Sequence, residues 1–422
     1  MATSAQRPQP AAYTSTSPEL ERPSSYRWTI CGLLFVATTI NYIDRQVLGV
    51  LAPTLQHALR WSEADYGDIV SWFSFAYGFG FLVAGQAVDW LGVRRGLGAA
   101  VVAWSAAAIG HAFARTVGGF SLARALLGIS ESAIFPGSIK AIAEWFPQRE
   151  RALATGIFNA GTNTGAILTP LLVPWIALTW GWQWAFVATG GLGLLWLLLW
   201  IPFYRDVPGA KQTDPIQKIL LGTLFTRRQT WAFIVGKFMA DPVWWFYLYW
   251  LPKFLDTRYG VKLAQVAAPL IVVYLLADAG SVGGGWFSSA LIKRGWSVNR
   301  ARKTAMLTMA LLIVPTTLVS RAPTMWSAVL LVGVALAAHQ AWSANVYTLA
   351  SDMFPKSAVG SVVGIGAFGG AMGGVLFQRI TGRVLQANGS DYTPIFIVCG
   401  LAYVSAWLII HLLAPRLEPA RL

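Results

Sequence analysis

Apolar residues in this chain come in long runs separated by short polar breaks. Twelve runs are long enough to cross a bilayer as helices, which takes about 20 predominantly apolar residues. They fall at 28–52, 66–88, 97–115, 120–145, 152–175, 183–203, 229–251, 265–290, 302–320, 324–350, 358–384 and 393–414. Runs 120–145, 265–290 and 358–384 are diluted by Gly, Ser or charge, and are expected to line a cavity rather than face lipid. The longest polar interval, 204–228, splits the twelve runs into two sets of six. The pattern therefore predicts an all-α integral membrane protein of two six-helix bundles, 28–203 and 229–414. A central loop at 204–228 joins them, and tails lie at 1–27 and 415–422. The first tail is rich in Pro, Ser and Thr and reads as disordered. It lacks the three-part pattern of a signal peptide, so the first run is expected to do the targeting and to be retained.

Composition sharpens this picture. Of 422 residues, 55% are hydrophobic and 12% charged, against about a quarter charged in soluble domains. The net charge of +14 lies in short runs between apolar segments, as in the cytoplasmic loops of membrane proteins. A nucleic-acid binder would gather it on one patch. With the N-terminus inside, Arg94, Arg95, Arg205, Arg227, Arg228, Lys293, Arg294, Arg300, Arg302 and Lys303 all fall on the inner side. Fewer basic residues, among them Arg60, Arg115, Lys253 and Arg258, fall outside. Both termini are therefore expected in the cytoplasm. Cys31 and Cys399 sit in apolar runs with no disulfide or metal spacing. No nucleophile–base set or phosphate loop occurs in a credible context, so neither an enzyme nor a cofactor is expected.

Charge within the runs is the informative exception. Run 28–52 contains Asn41, Tyr42, Asp44 and Arg45, and run 120–145 contains Arg124 and Glu131. Ionisable residues at membrane depth are costly and mark bundle interiors, watery cavities and transport paths. Arg124 and Glu131 are seven residues apart, nearly two turns, and share a helix face. Asp44 and Arg45 point about 100° apart and are not expected to satisfy each other. The combination points to a chamber in which Arg45 and Arg124 hold an organic anion while Glu131 and Asp44 carry protons. Structural ion pairs locking helices together are the competing reading.

Internal repetition supports two related halves. EWFPQRERALATG (144–156) is echoed by DMFPKSAVGSVVG (352–364), each with an acid, Phe-Pro and a basic residue ahead of a small-residue helix. GQAVDWLGVRRG (85–96) shares its glycine-then-basic pattern with GGGWFSSALIKRGWSVNRARK (283–303), which lacks the aspartate. In the first of these loops Gly85 is expected to allow close helix approach and Gly92 a tight turn. Asp89, Arg94 and Arg95 are candidate gating or structural residues there. Two such halves rocking about a central site would give alternating access.

GQAVDWLGVRRG resembles the characteristic cytoplasmic loop of the major facilitator superfamily. NYIDR (41–45) with RALLGISESAIFPG (124–137) is similar to its anion:cation symporter branch. DPVWWFYLYWLPKFL (241–255), ADAGSVGGGW (277–286) and HQAWSANVYTLASDMFP (339–355) resemble bacterial hexuronate transporters. The resemblance implies the twelve-helix major facilitator fold in a bacterial inner membrane and proton-coupled uptake of glucuronate or galacturonate. It also implies a substrate-site role for Arg45 and Arg124, and proton coupling through Asp44 and Glu131. Carriers of aldonates, aldarates or aromatic acids, working by symport or exchange, are the related alternatives, and an anion channel a more distant one.

An arginine fork suits a carboxylate, and sugar hydroxyls need neutral donors and acceptors. Candidates in the first half are Tyr77, Asn159 and Asn163; in the second, Tyr247, His339, Gln340, Ser343 and Asn345. Trp250 or Trp342 is expected to cover an apolar sugar face. Lys237 is expected to snorkel to the inner surface, and Asp278 to organise its Gly-rich helix. The remaining expectations are protons as the coupling ion, a small sugar-acid anion and the lipid bilayer as partners, and function as a monomer.

Overall fold

The computed structural model describes residues 26–146, 148–205, 221–418 and 420. Residues 1–25 of the expected tail and residues 206–220 of the expected central loop lie outside the described residues. So do the side chain of Asp89 and the other side chains at 148–153.

The described residues are helical almost throughout. The first part holds α1 (Tyr26–Val50), the short α2 (Ala52–Leu59), α3 (Glu63–Leu91) and α4 (Val93–Gly110). It continues with α5 (Val117–Glu131), α6 (Ile134–Trp145), α7 (Gln148–Trp180) and α8 (Trp182–Phe203). After α9 (Leu221–Phe225) come α10 (Arg228–Tyr259), α11 (Ala267–Lys293) and α12 (Val298–Ile313). The last are α13 (Met325–Met353), α14 (Lys356–Ala387) and α15 (Thr393–Leu413). A helix lies along each of the twelve apolar runs.

Two runs depart from a single continuous helix. Run 120–145 breaks between α5 and α6, immediately after Glu131. Pro136 lacks an N–H and its ring crowds the carbonyl of residue 132, which ends the first segment there. Run 302–320 tightens into a 3-10 segment at Val314–Arg321, which opens on Pro315. Elsewhere local chemistry sets the ends. Ser62 and Asp65 form a reciprocal capping box at the start of α3. Gly92, at φ +77°, lets the chain reverse between α3 and α4 within one residue. A side chain on Gly85, by contrast, would meet nothing within 4 Å, so this glycine mediates no close approach here.

Among the described residues, eight helical stretches are long and apolar enough to cross a membrane on their own. They include the three runs diluted by Gly, Ser or charge, which are nonetheless apolar enough to span unaided. The polar helices of span length are α1, α4, α7 and α10. Asp44 and Arg45 lie in α1, Arg94 and Arg95 open α4, Asn159 to Thr164 sit in α7, and Lys237, Asp241 and Lys253 lie along α10. Such helices need the bundle around them to shield these groups.

Helices α1, α3–α5, α7 and α8 pack on one another, as do α10–α15. The two sets meet along α3 and α14, α1 and α10, and α7 and α11. Glycines permit the tightest crossings. A Cβ on Gly49 would stand 2.7 Å from the carbonyl of Leu248, and one on Gly67 2.7 Å from that of Gln378. One on Gly382 would stand 2.5 Å from that of Glu63. Within the second set, Gly280 and Gly284 press α11 against Ala337 and Ala341 of α13.

Polar links between the sets concentrate where α3 begins and α14 ends. Lys253 pairs with Glu63, which also accepts from Ser390. Arg379 reaches Asp68 at 3.3 Å and Ser71 at 3.1 Å. The Tyr66 hydroxyl donates to the Tyr249 carbonyl at 2.6 Å. Among the described residues, the hydrogen bonds and ion pairs that cross between the sets all lie at this end, which is sealed.

Candidate substrate site

The charged residues of α1 and α5 meet beneath this seal. Arg45 donates from Nε at 2.9 Å and from Nη2 at 2.8 Å to the same oxygen, Oε2, of Glu131. Nη2 also reaches Asn41 Oδ1 at 3.3 Å. The second carboxylate oxygen, Glu131 Oε1, is buried without a partner. Both side chains are essentially inaccessible. An ion pair out of water survives only with close geometry and supporting contacts. Here the support is aromatic: the Arg45 guanidinium lies 4.6–5.3 Å from the ring centres of Tyr42, Phe73, Tyr77 and Trp245.

Arg124 is wholly buried on α5, and its terminal nitrogens both donate to the Arg45 carbonyl at 3.3 Å. Its Nε has no partner. The guanidinium lies 4.8 Å from the Phe73 ring and 5.2 Å from that of Tyr249. No carboxylate among the described residues forms an ion pair with it. The site thus holds one arginine paired directly with a carboxylate and one whose guanidinium contacts a carbonyl and two ring faces, with Glu131 acting on it only through space. A carboxylate-bearing ligand is the natural complement to that second guanidinium.

The remaining candidates separate into those near this centre and those away from it. Tyr77 stacks on Phe73 and contacts Arg45 directly. Asp44 points away from Arg45; both its oxygens are buried without partners, with Thr189 of α8 nearby but outside hydrogen-bond geometry. Asn159 is exposed and Asn163 half-buried beside Thr162, and none of their described hydrogen bonds reaches the arginines. Gln340 and Ser343 are half-buried on α13.

Three candidates occupy structural positions instead. Tyr247 is buried against Phe246 and Phe396, inside the second helix set. His339 stacks on Trp244 and bonds the Tyr403 hydroxyl, which donates onward to the Ala240 carbonyl at 3.1 Å. Asn345 donates to the carbonyls of Gly284 at 3.3 Å and Ala341 at 2.9 Å, tying α13 to α11. Each is held by its own bundle and turned from the arginines. Of the tryptophans expected to cover a sugar, Trp250 bonds Gln378 near the seal and Trp342 packs on Tyr403. The indole beside the arginines is that of Trp245. In the α3–α4 loop, Arg94 donates to the Ile201 carbonyl at 2.6 Å, while Trp200 Nε1 donates to the carbonyl of Arg94 at 3.0 Å. These bonds fasten α4 to α8; Arg95 is exposed.

Lys237 corrects another expectation. Rather than snorkelling, it is buried and pairs with Asp241 at 2.9 Å, and its ammonium donates to the Tyr347 hydroxyl at 3.0 Å. Sequence reading also missed Tyr42, Phe73, Trp245 and Tyr249. The available cue was spacing: Lys237, Asp241, Trp245, Tyr249 and Lys253 recur every four residues and make one stripe along α10.

A bundle of membrane-spanning helices meeting at buried arginines and carboxylates defines a multi-pass membrane transporter rather than an enzyme. The Major Facilitator Superfamily family model matches residues 34–378, and the chain belongs to that family. It is 30% identical over 404 residues to the hexuronate transporter of Escherichia coli K12, covering 91% of this chain and 93% of that one. It is 33% identical over 308 residues to the galacturonate transporter of Dickeya chrysanthemi, covering 68% and 89%. The D-galactonate transporter of E. coli O6:H1 is 28% identical, covering 93% and 95%. Among solved structures, a D-xylose–proton symporter superposes with a TM-score of 0.75 at 18% identity, covering 94% of this chain and 100% of that one. A likeness at that identity speaks for the fold alone.

Proposed function

We propose that this protein imports a hexuronate, glucuronate or galacturonate, together with protons across a bacterial inner membrane by alternating access. The observation that carries the reading is the Arg45–Glu131 pair lying beside Arg124, which forms no ion pair with a carboxylate among the described residues. The names of the relatives at 30–33% identity support the choice of cargo.

The basic ends of α4 and α12 lie opposite the seal, which supports reading the sealed end as the outer one and both termini as cytoplasmic. In the outward-open form the rings over the arginines part and Glu131 takes up a proton. A neutral Glu131 no longer holds Arg45, so both guanidiniums are free for one substrate carboxylate. Tyr77, Asn163, Gln340 and Ser343 are positioned on helices that can offer hydroxyl partners as the halves close. Asp44, buried without partners, is the second proton carrier. The outer links then form, the inner side opens, and substrate and proton leave. Because proton and anion each favour the other's binding, the coupling is reciprocal. No cofactor enters this cycle, and one monomer contains the whole site.

An aldonate or aldarate carrier using the same arginines is the second reading, supported by the similarity to the D-galactonate transporter. Uptake into sealed proteoliposomes decides between them. It uses a panel of uronates, aldonates, aldarates and aromatic acids, with proton, sodium and electrical gradients imposed separately. Saturable, proton-driven uptake of glucuronate or galacturonate is expected. Uptake indifferent to the proton gradient, or confined to another acid class, would overturn the assignment.

A further inference from the structure

The Lys237–Asp241 pair lies outside the arginine site yet on the same face of α10. Trp245 covers Arg45, Tyr249 covers Arg124, and Lys253 belongs to the outer seal. Lys237 is eight residues before Trp245, about 12 Å of helix rise toward the opposite end. Tyr347, which accepts from Lys237, is 44% exposed, and its hydroxyl is close enough to Tyr42 and Tyr77 to interact electrostatically. The cluster therefore borders the space between the two helix sets, on the side of the arginines away from the seal.

Its geometry suits a ligand better than a lock. Lys237 and Asp241 are four residues apart on one helix, so their ion pair does not itself join two helices; the link to α13 is the single bond to Tyr347. Such a pair adds little to helix stability, and both charges must still leave water. Room for the carboxylate is made by Gly370 of α14, where a Cβ would stand 2.2 Å from Asp241 Oδ2. The ammonium has three donors. Two face Asp241 and Tyr347, and the third has no partner among the described residues.

We propose that Lys237, Asp241 and Tyr347 form a second anion-binding station on the inner path, where the carboxylate of the departing sugar acid displaces Asp241 from Lys237. This rests on the sugar-acid reading of the arginine site. Release is then a two-step hand-over, from guanidinium to ammonium and then to water. Asp241 returns to Lys237 once the anion has gone and keeps the station from retaining it.

The test uses full-length protein reconstituted in one orientation, with glucuronate as the probe and KM measured separately at each face. Lys237→Gln should raise KM at the inner face about tenfold, the loss of one charge-assisted contact, and leave the outer KM within about twofold. Lys237→Arg should keep the inner KM within about threefold of wild type. Asp241→Asn should lower the inner KM and slow net uptake, because the freed ammonium holds the anion longer. Equal changes at both faces, or none, would overturn the proposal. If Lys237→Gln does not insert, Asp241→Asn decides alone, and an unchanged inner KM there overturns it. Wild-type protein that moves no sugar acid would remove the reading of the arginine site, and this inference with it. Active wild type with face-independent variants would remove the inference only.

Discussion

Arg45 holds Glu131 through a single carboxylate oxygen, with two of its nitrogens at 2.8–2.9 Å from Oε2 and Oε1 left without a partner. A pair built this way can be broken by one proton, because a neutral carboxyl no longer draws the guanidinium. Glu131→Gln fixes that neutral form. Exchange of labelled for unlabelled substrate should persist within about threefold of wild type, while proton-driven accumulation falls to background. Both are read in the same vesicles. Accumulation equal to wild type would remove Glu131 from the coupling step.

Asp44 presents the opposite situation, a buried carboxyl group with no hydrogen-bond partner on either oxygen. Asp44→Asn keeps its shape and removes its proton chemistry. The variant should insert and melt at least as well as wild type, since no ion pair is lost and an unpaired buried charge is costly. It should nonetheless lose proton-driven uptake. Calorimetry beside uptake checks both halves of this prediction.

Arg124 anchors the proposed carboxylate contact, and its fork geometry matters as much as its charge. Arg124→Ala should abolish measurable uptake with near-normal membrane insertion. Arg124→Lys keeps the charge but presents a point donor, and should raise KM about tenfold. A lysine variant indistinguishable from wild type would show that the guanidinium contributes only potential.

Arg45, Arg124 and Glu131 were legible because charge within an apolar run needs an explanation. Their aromatic surroundings were not. In a chain that is 13% aromatic, nothing in composition separates Trp245, which faces Arg45, from Tyr247, two residues on and turned toward Phe396. That two-residue offset is about 200° of helix, a difference only packing resolves. The Lys237–Asp241 pair is visible in the sequence as an i, i+4 spacing, yet a lysine near a helix end is as readily explained by snorkelling. His339 and Asn345 looked like ligand groups because polar residues at membrane depth serve either ligands or neighbouring helices, and the sequence does not say which. Runs of apolar residues located every long helix, yet not the short α2 and α9 or the break that leaves Glu131 at the very end of α5.

The outer seal rests partly on Glu63 and Lys253, a mostly buried pair joining α3 to α10. Removing one partner leaves the other charge buried and uncompensated, which costs several kcal/mol in comparable pairs, whereas removing both costs much less. Glu63→Gln should therefore bias the protein toward an open outer side, and the Glu63→Gln, Lys253→Gln double variant should return toward wild type. The reporter is a cysteine at Ser74, which is buried against Gly374 beneath the seal. Both native cysteines are buried and give a low background. Impermeant thiol reagents should label this position faster in the single variant than in the double.

The same seal depends on two glycines whose backbones nearly touch. A Cβ on Gly67 or Gly382 would stand 2.7 or 2.5 Å from the backbone oxygen of Gln378 or Glu63, neither of which can swing aside. Alanine raises intrinsic helix stability over glycine by about 1 kcal/mol, so Gly382→Ala should not unfold α14. It should instead hold α3 and α14 apart at the outer end. Labelling of the Ser74 cysteine should rise, the maximal uptake rate should fall about tenfold or more, and the melting temperature should stay level or increase. A loss of transport accompanied by a lower melting temperature would point to damaged packing within the second helix set. Unchanged labelling and transport would show that α3 and α14 close the outer side without this contact.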